Sequence, residues 1–477
     1  MKEYDIIAIG TGSAMNIISS VMRNNPELKI AVIDKDAPGG ICLTKGCIPT
    51  KILLYPAEVL RMIERAKIFG IDVDIKNIDF KFVMNRMREI INHDIESISD
   101  GLSTTKELDY YRETAEFIDS YTLKVGKEKI KGKMILLCTG SKPKIPAIKG
   151  VESVNYLTSD SILELTELPK SITIVGGGYI AAEYGHFLSA MGSKVTIIGR
   201  NPQFLPQEEP EVSALALSEF QKQMKVVTNF EVKEVQQTKE GRIITKAVNR
   251  DTKEEFETIT DELLIAAGRS SYADILKPEK SGVKTDKNGW IKVNGFLETT
   301  KKNIWAFGDA NGKYLFKHAA NYESQIVYYN AIHKQKYKVD YHAIPRAVFS
   351  EPEIASVGMR EEEAIKSYGK DNILIGFQRF QDTAKGTAMA IENFFVKIIL
   401  RKDDLEILGA HIIGPHASVL IQEIINLMYT PERTIIPILQ GMHIHPALNE
   451  VVERAAGNMM PVDQYHHFLN HIGLSEK

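Results

Sequence analysis

The sequence predicts an α/β protein with two Rossmann-like dinucleotide-binding domains and a C-terminal α+β domain. An apolar strand, a glycine-rich turn and a helix follow one another at the N-terminus, and the same order recurs from Ile172. From about Tyr341 onward this order does not return, and alternating strands with an amphipathic helix predict a domain of another kind. A chain of 477 residues is also too long for a single core, so about three domains are expected.

The composition, 44% hydrophobic and 25% charged residues, is that of a soluble globular protein. The net charge of −3 provides no attraction to nucleic acid or to an anionic membrane, so neither partner is expected. The chain enters an apolar strand at once, which indicates no secretory signal, and glycines and Glu183 interrupt the most apolar window, Ile172–Gly192. Three cysteines fit a reducing, cytoplasmic location, where a disulfide is usually catalytic.

The first glycine-rich turn predicts a dinucleotide site. Gly10 and Gly12 follow the first apolar strand, and Asp34 ends the next strand, 24 residues after Gly10. The glycines let the backbone approach a pyrophosphate at the helix N-terminus, and Asp34 is expected to bind a ribose hydroxyl. Met15 replaces the usual third small residue, so we expect a slightly displaced helix rather than a lost site.

The second turn makes this prediction much stronger. The strand Ile172–Val175 leads into Gly176, Gly177 and Gly178, and a helix and the strand Lys194–Ile198 follow. Two dinucleotide sites in one chain imply electron transfer between two cofactors, FAD and a nicotinamide.

Cys42 and Cys47 are the candidate redox centre. In a regular helix, residues five apart are separated by about 7.5 Å along the axis, whereas a disulfide requires Cα atoms roughly 4.4–6.8 Å apart. The pair can therefore close only if the helix is distorted, which Gly46 would permit. Two buried cysteines that never meet are the alternative. The surrounding glycines, Pro49 and Lys51 favour a disulfide that opens and closes during turnover.

The segment Gly39–Lys51 resembles the active-site segment of the class I pyridine nucleotide-disulfide oxidoreductases, which include dihydrolipoamide dehydrogenase, glutathione reductase and mycothione reductase. Further matching segments continue to about residue 460. The resemblance implies FAD, NADPH or NADH as cofactors and a homodimer with shared active sites. It also implies four segments, which are an FAD-binding part at 1–150, an NAD(P)-binding domain at 151–272, a second FAD-binding or central part at 273–342 and a dimerisation domain at 343–477.

The resemblance assigns the catalytic roles. Cys47 would lie beside the flavin, and Cys42 would exchange with the substrate. His445 would be the acid-base group, oriented by Glu450, and would reach the disulfide of the other subunit. Lys51 would lie near the flavin and pair with Glu183, and the alternative for both residues is surface charge. The helix that starts near Pro49 would lower the pKa of the nearby thiol.

The resemblance also implies a set of cofactor-binding residues, among which Asp309 would hold the ribityl chain and Tyr179 would cover the flavin. The set consists of Gly10, Gly12, Ser13, Asp34, Gly40, Lys51, Thr139, Gly140, Gly176, Gly178, Tyr179, Ile180, Arg200, Gly268, Asp309, His318 and Ala319.

The end of the strand Lys194–Ile198 predicts a modest preference for NADPH. NAD-specific members usually carry a Glu at the next position, which here is Gly199, followed by Arg200. An arginine can pair with a 2′-phosphate. Members similar to glutathione reductase use a second arginine, which would fall at Pro206. The alternative is a surface arginine, with NADH accepted through backbone contacts.

We therefore expect an FAD-dependent NAD(P)H:disulfide oxidoreductase, similar to dihydrolipoyl dehydrogenase, that acts on a small-molecule disulfide or dithiol. The alternatives are an NADPH-dependent reductase of the mycothione or glutathione type, the E3 subunit of a 2-oxo acid dehydrogenase complex, and a redox sensor. No metal site is expected. His467 and His471 could bind a metal, but a solvated helix end is the preferred interpretation. The apolar face of the helix Ser418–Met428 belongs either to the core or to a subunit interface.

Overall fold

The computed structural model describes residues 1–474 and confirms the predicted fold class. The N-terminal sheet has a parallel centre and an antiparallel hairpin at one side, and a strand from much later in the chain completes it. Along the sheet, the strands are Leu108–Tyr111, Ile30–Ile33, Lys2–Ile9, Glu128–Leu137, Thr122–Val125 and Ala115–Asp119, and Ile304–Ala306 pairs in parallel with Glu128–Leu137. The central strands are nearly continuous apolar runs because both faces of the sheet are covered.

A second parallel sheet forms the other nucleotide-binding domain, and an antiparallel meander follows one of its edge strands. In order, its strands are Lys225–Val227, Lys194–Ile198, Ser171–Val175, Glu262–Ile265 and Leu157–Thr158. The meander consists of Phe230–Gln237, Ile243–Asn249 and Glu255–Thr260. A two-stranded ribbon, Ser141–Pro143 with Arg269–Ser271, connects this domain to the first.

The C-terminal domain is an antiparallel sheet covered by helices. Its strands, in order, are Arg346–Val348, Ile354–Gly358, Ile407–Ile413, Phe395–Arg401, Ile373–Arg379 and Met459–Pro461. The α-helices of the described chain are Ala14–Asn24, Gly40–Thr44, Cys47–Arg65, Phe80–Thr104, Tyr179–Met191, Pro210–Gln221, Ala273–Leu276, Lys317–Val327, Glu361–Tyr368, Ala384–Ala388, Ala417–Met428, Ile436–Gln440, Glu450–Gly457 and Val462–Ile472.

Two strands end in turns that contain a glycine. The strand Glu128–Leu137 ends before Gly140, and the strand Glu262–Ile265 ends before Gly268. Gly140 has φ +68° and Gly268 has φ +103°, values outside the extended region, so the chain turns at these positions.

The apolar face of the helix Ala417–Met428 is buried within the protomer. Its residues Leu420, Ile421, Ile424 and Met428 are between 0% and 7% exposed and pack in the core of the C-terminal domain. Of the two alternatives for this face, the structure supports the core. The side chains of His467 and His471 are exposed on the C-terminal helix, which agrees with the solvated helix end that the sequence favoured.

A buried ion cluster joins the second nucleotide-binding domain to the C-terminal domain. Lys397 is fully buried, and its Nζ lies 2.5, 2.6 and 2.7 Å from carboxylate oxygens of Glu209, Glu211 and Glu361. Tyr465 of the last helix donates a hydrogen bond of 2.6 Å to Glu211. The Lys397 ammonium group therefore links the two domains, and Tyr465 connects the C-terminal helix to the same cluster through Glu211.

The domain limits given above remain a prediction, and the last three residues of the segment 343–477 lie outside the described residues. Across residues 1–474, no helix combines the length and the hydrophobicity needed to cross a membrane.

Candidate active site

A cavity of about 1060 Å³ brings most of the predicted site residues together. Its walls come from the first glycine-rich turn, the cysteine segment, the segment Cys138–Gly140, the second nucleotide-binding domain and the start of the helix Lys317–Val327. The volume is at the upper limit of ordinary ligand pockets, which are about 300–1,000 Å³. The cavity can therefore hold a large ligand.

The first turn is built for close backbone approach. A Cβ atom on Gly10 would lie 2.0 Å from the carbonyl oxygen of Cys138, and one on Gly40 would lie 2.6 Å from the Cα of Gly12. Gly10 and Gly40 also have positive φ values of +104° and +70°. No larger residue fits at either position, and the helix Ala14–Asn24 starts directly behind this surface.

Asp34 is held at the end of its strand. Its Oδ2 accepts hydrogen bonds from the Thr11 backbone N–H at 2.8 Å and the Thr11 hydroxyl at 2.6 Å. Its Oδ1 accepts a hydrogen bond from the backbone N–H of Asp36 at 3.1 Å. The carboxylate lines the cavity in a fixed orientation.

The cysteine segment is not one regular helix. One helix, Gly40–Thr44, ends before Lys45, and a second helix starts at Cys47. Gly46 between them has φ −130° and ψ −117°, a non-helical conformation. The distortion expected at Gly46 is present, and Pro49 lies in the first turn of the second helix.

The two thiols are free, line the cavity and interact with each other. The hydrogen bond from Cys42 lowers the pKa of Cys47 to about 7, and the charge of Lys51 contributes further. The same hydrogen bond raises the pKa of Cys42. Cys47 is exposed to the cavity. It is therefore the thiol that ionises first.

Lys51 and Glu183 form an ion pair across the cavity wall. Lys51 Nζ lies 2.8 Å from both carboxylate oxygens of Glu183, whose side chain is 9% exposed. The backbone N–H of Phe349 also donates to Glu183 Oε1 at 3.1 Å, and Lys51 Nζ lies 4.6 Å above the Phe349 ring. The surface-charge alternative does not describe this buried carboxylate.

Asp309 and its neighbours form a polar edge of the same cavity. Ser141 donates a hydrogen bond of 2.5 Å to Asp309, and Arg269 donates to the Ser141 hydroxyl at 2.6 Å and to its carbonyl oxygen at 2.7 Å. Burial raises the pKa of Asp309. Nearby, the buried Thr139 hydroxyl has no hydrogen-bond partner within residues 1–474. The edge thus presents polar groups that a ligand can satisfy.

The second glycine-rich turn repeats the geometry of the first. A Cβ atom on Gly176 would lie 2.3 Å from the carbonyl oxygen of Ala266, just as Gly10 lies against Cys138. Around Gly178 the space is open to 4 Å, and Ile180 lines the main cavity. Gly268 lies at the turn after the adjacent strand.

An aromatic stack separates this turn from the first domain. The Tyr179 ring lies 6.3 Å from that of Phe316, and the Phe316 ring lies 5.3 Å from that of His318. The ring of His318 bonds the carbonyl oxygen of Pro345 at 2.7 Å, and burial lowers the pKa of His318. Ala319, the next residue, is fully buried.

His445 and Glu450 form a pair apart from the cavity. His445 Nδ1 lies 2.8 Å from Glu450 Oε1, and the backbone N–H of Ala447 donates to Oε2 at 3.2 Å. The His445 bond lowers the pKa of Glu450. The His445 side chain is 66% exposed and, in the part of the chain that the structure describes, is not among the residues that line the cavity.

The sequence interpretation gave no role to several residues that hold predicted site residues in place. Thr11 holds Asp34, and Ser141, itself held by Arg269, donates to Asp309. Lys317 donates to the Ser13 hydroxyl at 3.0 Å, and Glu208 accepts a hydrogen bond from Tyr179. Thr11 lies inside the first glycine motif, so the sequence could have identified it, whereas nothing local in the sequence marks Glu208.

Family comparisons cover nearly the whole described chain. Residues 4–326 match the family described as pyridine nucleotide-disulphide oxidoreductase, and residues 344–456 match the dimerisation domain of the same family. Mycothione reductase from Mycobacterium tuberculosis is 34% identical over 467 residues, which are 95% of this chain and 99% of that protein. Dihydrolipoyl dehydrogenase from Chlamydia pneumoniae is 33% identical over 474 residues, with coverage of 98% and 99%.

A solved structure has the same fold. The Cu(II) complex of the HOCl-induced flavoprotein disulfide reductase RclA from Escherichia coli superimposes with a TM-score of 0.84 and 26% sequence identity. The match covers 96% of this chain and 99% of that one.

Proposed function

This chain belongs to the pyridine nucleotide-disulphide oxidoreductase family, and we propose that it reduces a small-molecule disulfide through Cys42 and Cys47, with NADPH preferred to NADH. The family implies a flavin and a pyridine nucleotide, and the dimerisation domain supports a homodimer. One observation carries the proposal. One cavity is lined by the two interacting thiols, by the Lys51–Glu183 pair and by residues of both dinucleotide-binding domains.

The residues of the cavity fit a flavin dinucleotide. Gly10, Gly12 and Gly40 leave room for a pyrophosphate, and Asp34 presents a fixed carboxylate to a ribose. The unpartnered hydroxyl of Thr139 and the buried carboxyl of Asp309 would bind further polar groups of the same ligand. Ser13, Gly140 and His318 would complete the walls, with the buried Ala319 behind them.

When bound, the flavin would supply two-electron transfer between the nicotinamide and the Cys42–Cys47 disulfide, which reduction opens to the two thiols. The residues of this chain would position the nicotinamide and the cysteine pair for this transfer. Tyr179 and Ile180 line the cavity and would border the nicotinamide, with Gly176 and Gly178 in the turn before them and Gly268 in the turn after the adjacent strand. Lys51, fixed by Glu183, would place a positive charge beside the flavin and stabilise the Cys47 thiolate.

The thiols would then carry out disulfide exchange. His445 takes the proton of the Cys42 thiol, and the Cys42 sulfur attacks one sulfur of the substrate disulfide. The S–S bond of the substrate breaks, which gives a mixed disulfide and the first substrate thiolate, and this thiolate receives the proton from His445. The Cys47 thiolate next attacks Cys42, so that the Cys42–Cys47 disulfide forms and the second half of the substrate leaves as a thiolate, which takes a proton from water. Because His445 is exposed and lies away from its own cavity, we assign it, with Glu450, to the site of the partner subunit.

The nicotinamide preference rests on Gly199 and Arg200. No carboxylate stands at the end of the strand Lys194–Ile198 to repel a 2′-phosphate, and the exposed Arg200 follows directly. Arg200→Glu is expected to raise the Michaelis constant for NADPH and to leave that for NADH nearly unchanged. An enzyme that favours NADH several-fold before mutation would contradict this part of the proposal.

Dihydrolipoyl dehydrogenase activity is the second candidate, because a relative with that name is 33% identical over 98% of this chain. Steady-state assays of the purified protein against lipoamide, glutathione disulfide and mycothiol disulfide, each with NADPH and NADH, decide between the two. Cys42→Ser serves as the inactive control. Turnover with lipoamide and NADH alone would favour the second candidate, and absence of disulfide-dependent turnover with every pair would contradict both.

A further inference from the structure

Arg200 and Arg250 lie side by side although 50 residues separate them in the chain. The backbone N–H of Asn229 donates to the carbonyl oxygen of Asn201 at 2.8 Å, and that of Arg250 donates to the carbonyl oxygen of Asn229 at 2.8 Å. The turn between the strands Ile243–Asn249 and Glu255–Thr260 is thereby drawn to the end of the strand Lys194–Ile198. The Nη1 group of Arg250 lies 3.4 Å from the carbonyl oxygen of Arg200.

Both guanidinium groups are available to an anion. Arg200 and Arg250 are exposed, and within residues 1–474 neither forms an ion pair with a carboxylate. The charges of both arginines act on Glu231, which pairs with Lys233. The pKa of Glu231 is lowered mainly by the hydrogen bond and the charge of Lys233, and to a smaller extent by the charges of Arg200 and Arg250.

This point lies next to the second glycine-rich turn. A Cβ atom on Gly177 would lie 3.3 Å from the Cα of Gly199, so the turn and the strand end are in contact. In this fold the residue at the end of the second strand faces the adenosine ribose of the dinucleotide. Arg200 follows Gly199 directly, and Arg250 approaches from the neighbouring hairpin.

We propose that Arg250 determines nicotinamide specificity together with Arg200, as the second ligand of the 2′-phosphate of NADPH. This inference rests on the proposed preference for NADPH and names a residue that the sequence motif does not contain, because the expected second position is Pro206. Two unpaired guanidinium groups on neighbouring segments repel each other, and a doubly charged phosphate between them would relieve this repulsion. Arg250 therefore contributes to binding only when the 2′-phosphate is present.

The test is the binding of 2′,5′-ADP and of 5′-AMP to the purified holoenzyme, measured by isothermal titration calorimetry. Arg250→Gln and Arg200→Gln are each expected to weaken 2′,5′-ADP binding by about tenfold, as the loss of a charge-assisted hydrogen bond predicts, and to leave 5′-AMP binding unchanged. Arg250→Lys, which keeps the charge and loses the planar fork, should give a smaller loss. Arg242→Gln is the matched control, since Arg242 precedes the same strand at its other end and pairs with Asp261.

The outcomes separate the two proposals. If Arg200→Gln weakens 2′,5′-ADP binding and Arg250→Gln binds it like the wild type, Arg250 is not a ligand and the inference is overturned while the NADPH preference stands. If the wild type binds 2′,5′-ADP no better than 5′-AMP, the NADPH preference fails and the inference fails with it. An equal loss for both nucleotides in Arg250→Gln also overturns the inference, because it would indicate a structural role.

Discussion

Tyr179 donates its phenolic hydroxyl to Glu208 Oε1 at 2.9 Å, and this bond joins an aromatic ring of the cavity to a buried carboxylate of the same domain. Arg346 donates to the same oxygen at 3.1 Å and to the carbonyl oxygen of Gln207 at 2.6 Å. Glu208 is 1% exposed, and its second oxygen has no partner among residues 1–474. The position of the ring thus depends on residues from two domains.

Removing this bond should uncover the bound flavin. We expect Tyr179→Phe and Glu208→Gln each to increase the quenching of flavin fluorescence by iodide, and the double variant to add nothing further, because both changes break one interaction. Tyr184→Phe is the control, since Tyr184 is on the same helix and its hydroxyl donates to Ser159 instead. Additive effects would show that the ring is positioned by other contacts.

The reactivity of Cys47 should follow a pKa near 7. In the reduced protein, the rate of alkylation by iodoacetamide should rise about tenfold per pH unit below pH 7 and level off above it, because only the thiolate reacts. Cys42→Ala should move this midpoint upward, since the hydrogen bond from Cys42 is the largest cause of the lowered pKa. Mass spectrometry identifies the alkylated residue. An unchanged midpoint in Cys42→Ala would assign the low pKa to Lys51 instead.

His445 should matter for proton transfer and Glu450 for its orientation. His445→Ala is expected to lower kcat for disulfide reduction by roughly 10²–10⁴, and Glu450→Gln by less, because the amide can still accept the hydrogen bond at Oε1. Single-turnover reduction of the flavin by NADPH should be unaffected in both. Its loss in His445→Ala would place the defect before the thiol step.

The shared site can be tested by complementation. Cys42→Ser and His445→Ala are each expected to be inactive or nearly so alone. Equal amounts of the two should regain about a quarter of the wild-type activity, because half of the dimers carry one intact site. Subunit exchange is checked with differently tagged chains by co-purification. No recovery after confirmed exchange would place His445 and Cys42 of one site on the same chain.

Lys397 should be essential to stability. Lys397→Met leaves three buried carboxylates without their counter-charge, and we expect it to lower the free energy of unfolding by about 3–5 kcal/mol. Lys402→Met, an exposed lysine just after the same strand, is the matched control and should change little. Urea unfolding followed by circular dichroism measures both. Equal stability of the two variants would contradict the role assigned to the cluster.

The glycine motifs allowed much of the fold to be predicted because they are local. Gly10 and Gly176 each lie against a carbonyl group at the end of a neighbouring strand, and only glycine fits there. Each motif therefore predicts that another strand ends close to its turn. The contacts of Glu208 and Arg250 could not be predicted from the sequence, because each depends on how segments far apart in the chain pack together. The helix Ala417–Met428 is a further example. Its apolar face has the same sequence pattern whether the core of the protomer or another subunit covers it, so the pattern alone could not distinguish the two.

The order in which the first sheet is assembled has a consequence for synthesis on the ribosome. Residues Ile135–Leu137 pair with the strand Ile304–Ala306, which leaves the ribosome roughly 170 residues later, about 10–30 s at ordinary elongation rates. During this interval an apolar strand edge has no partner, and such an edge is a site for pairing with other chains. The entire second nucleotide-binding domain is made within this interval, so the edge at Ile135–Leu137 stays open until its partner strand arrives.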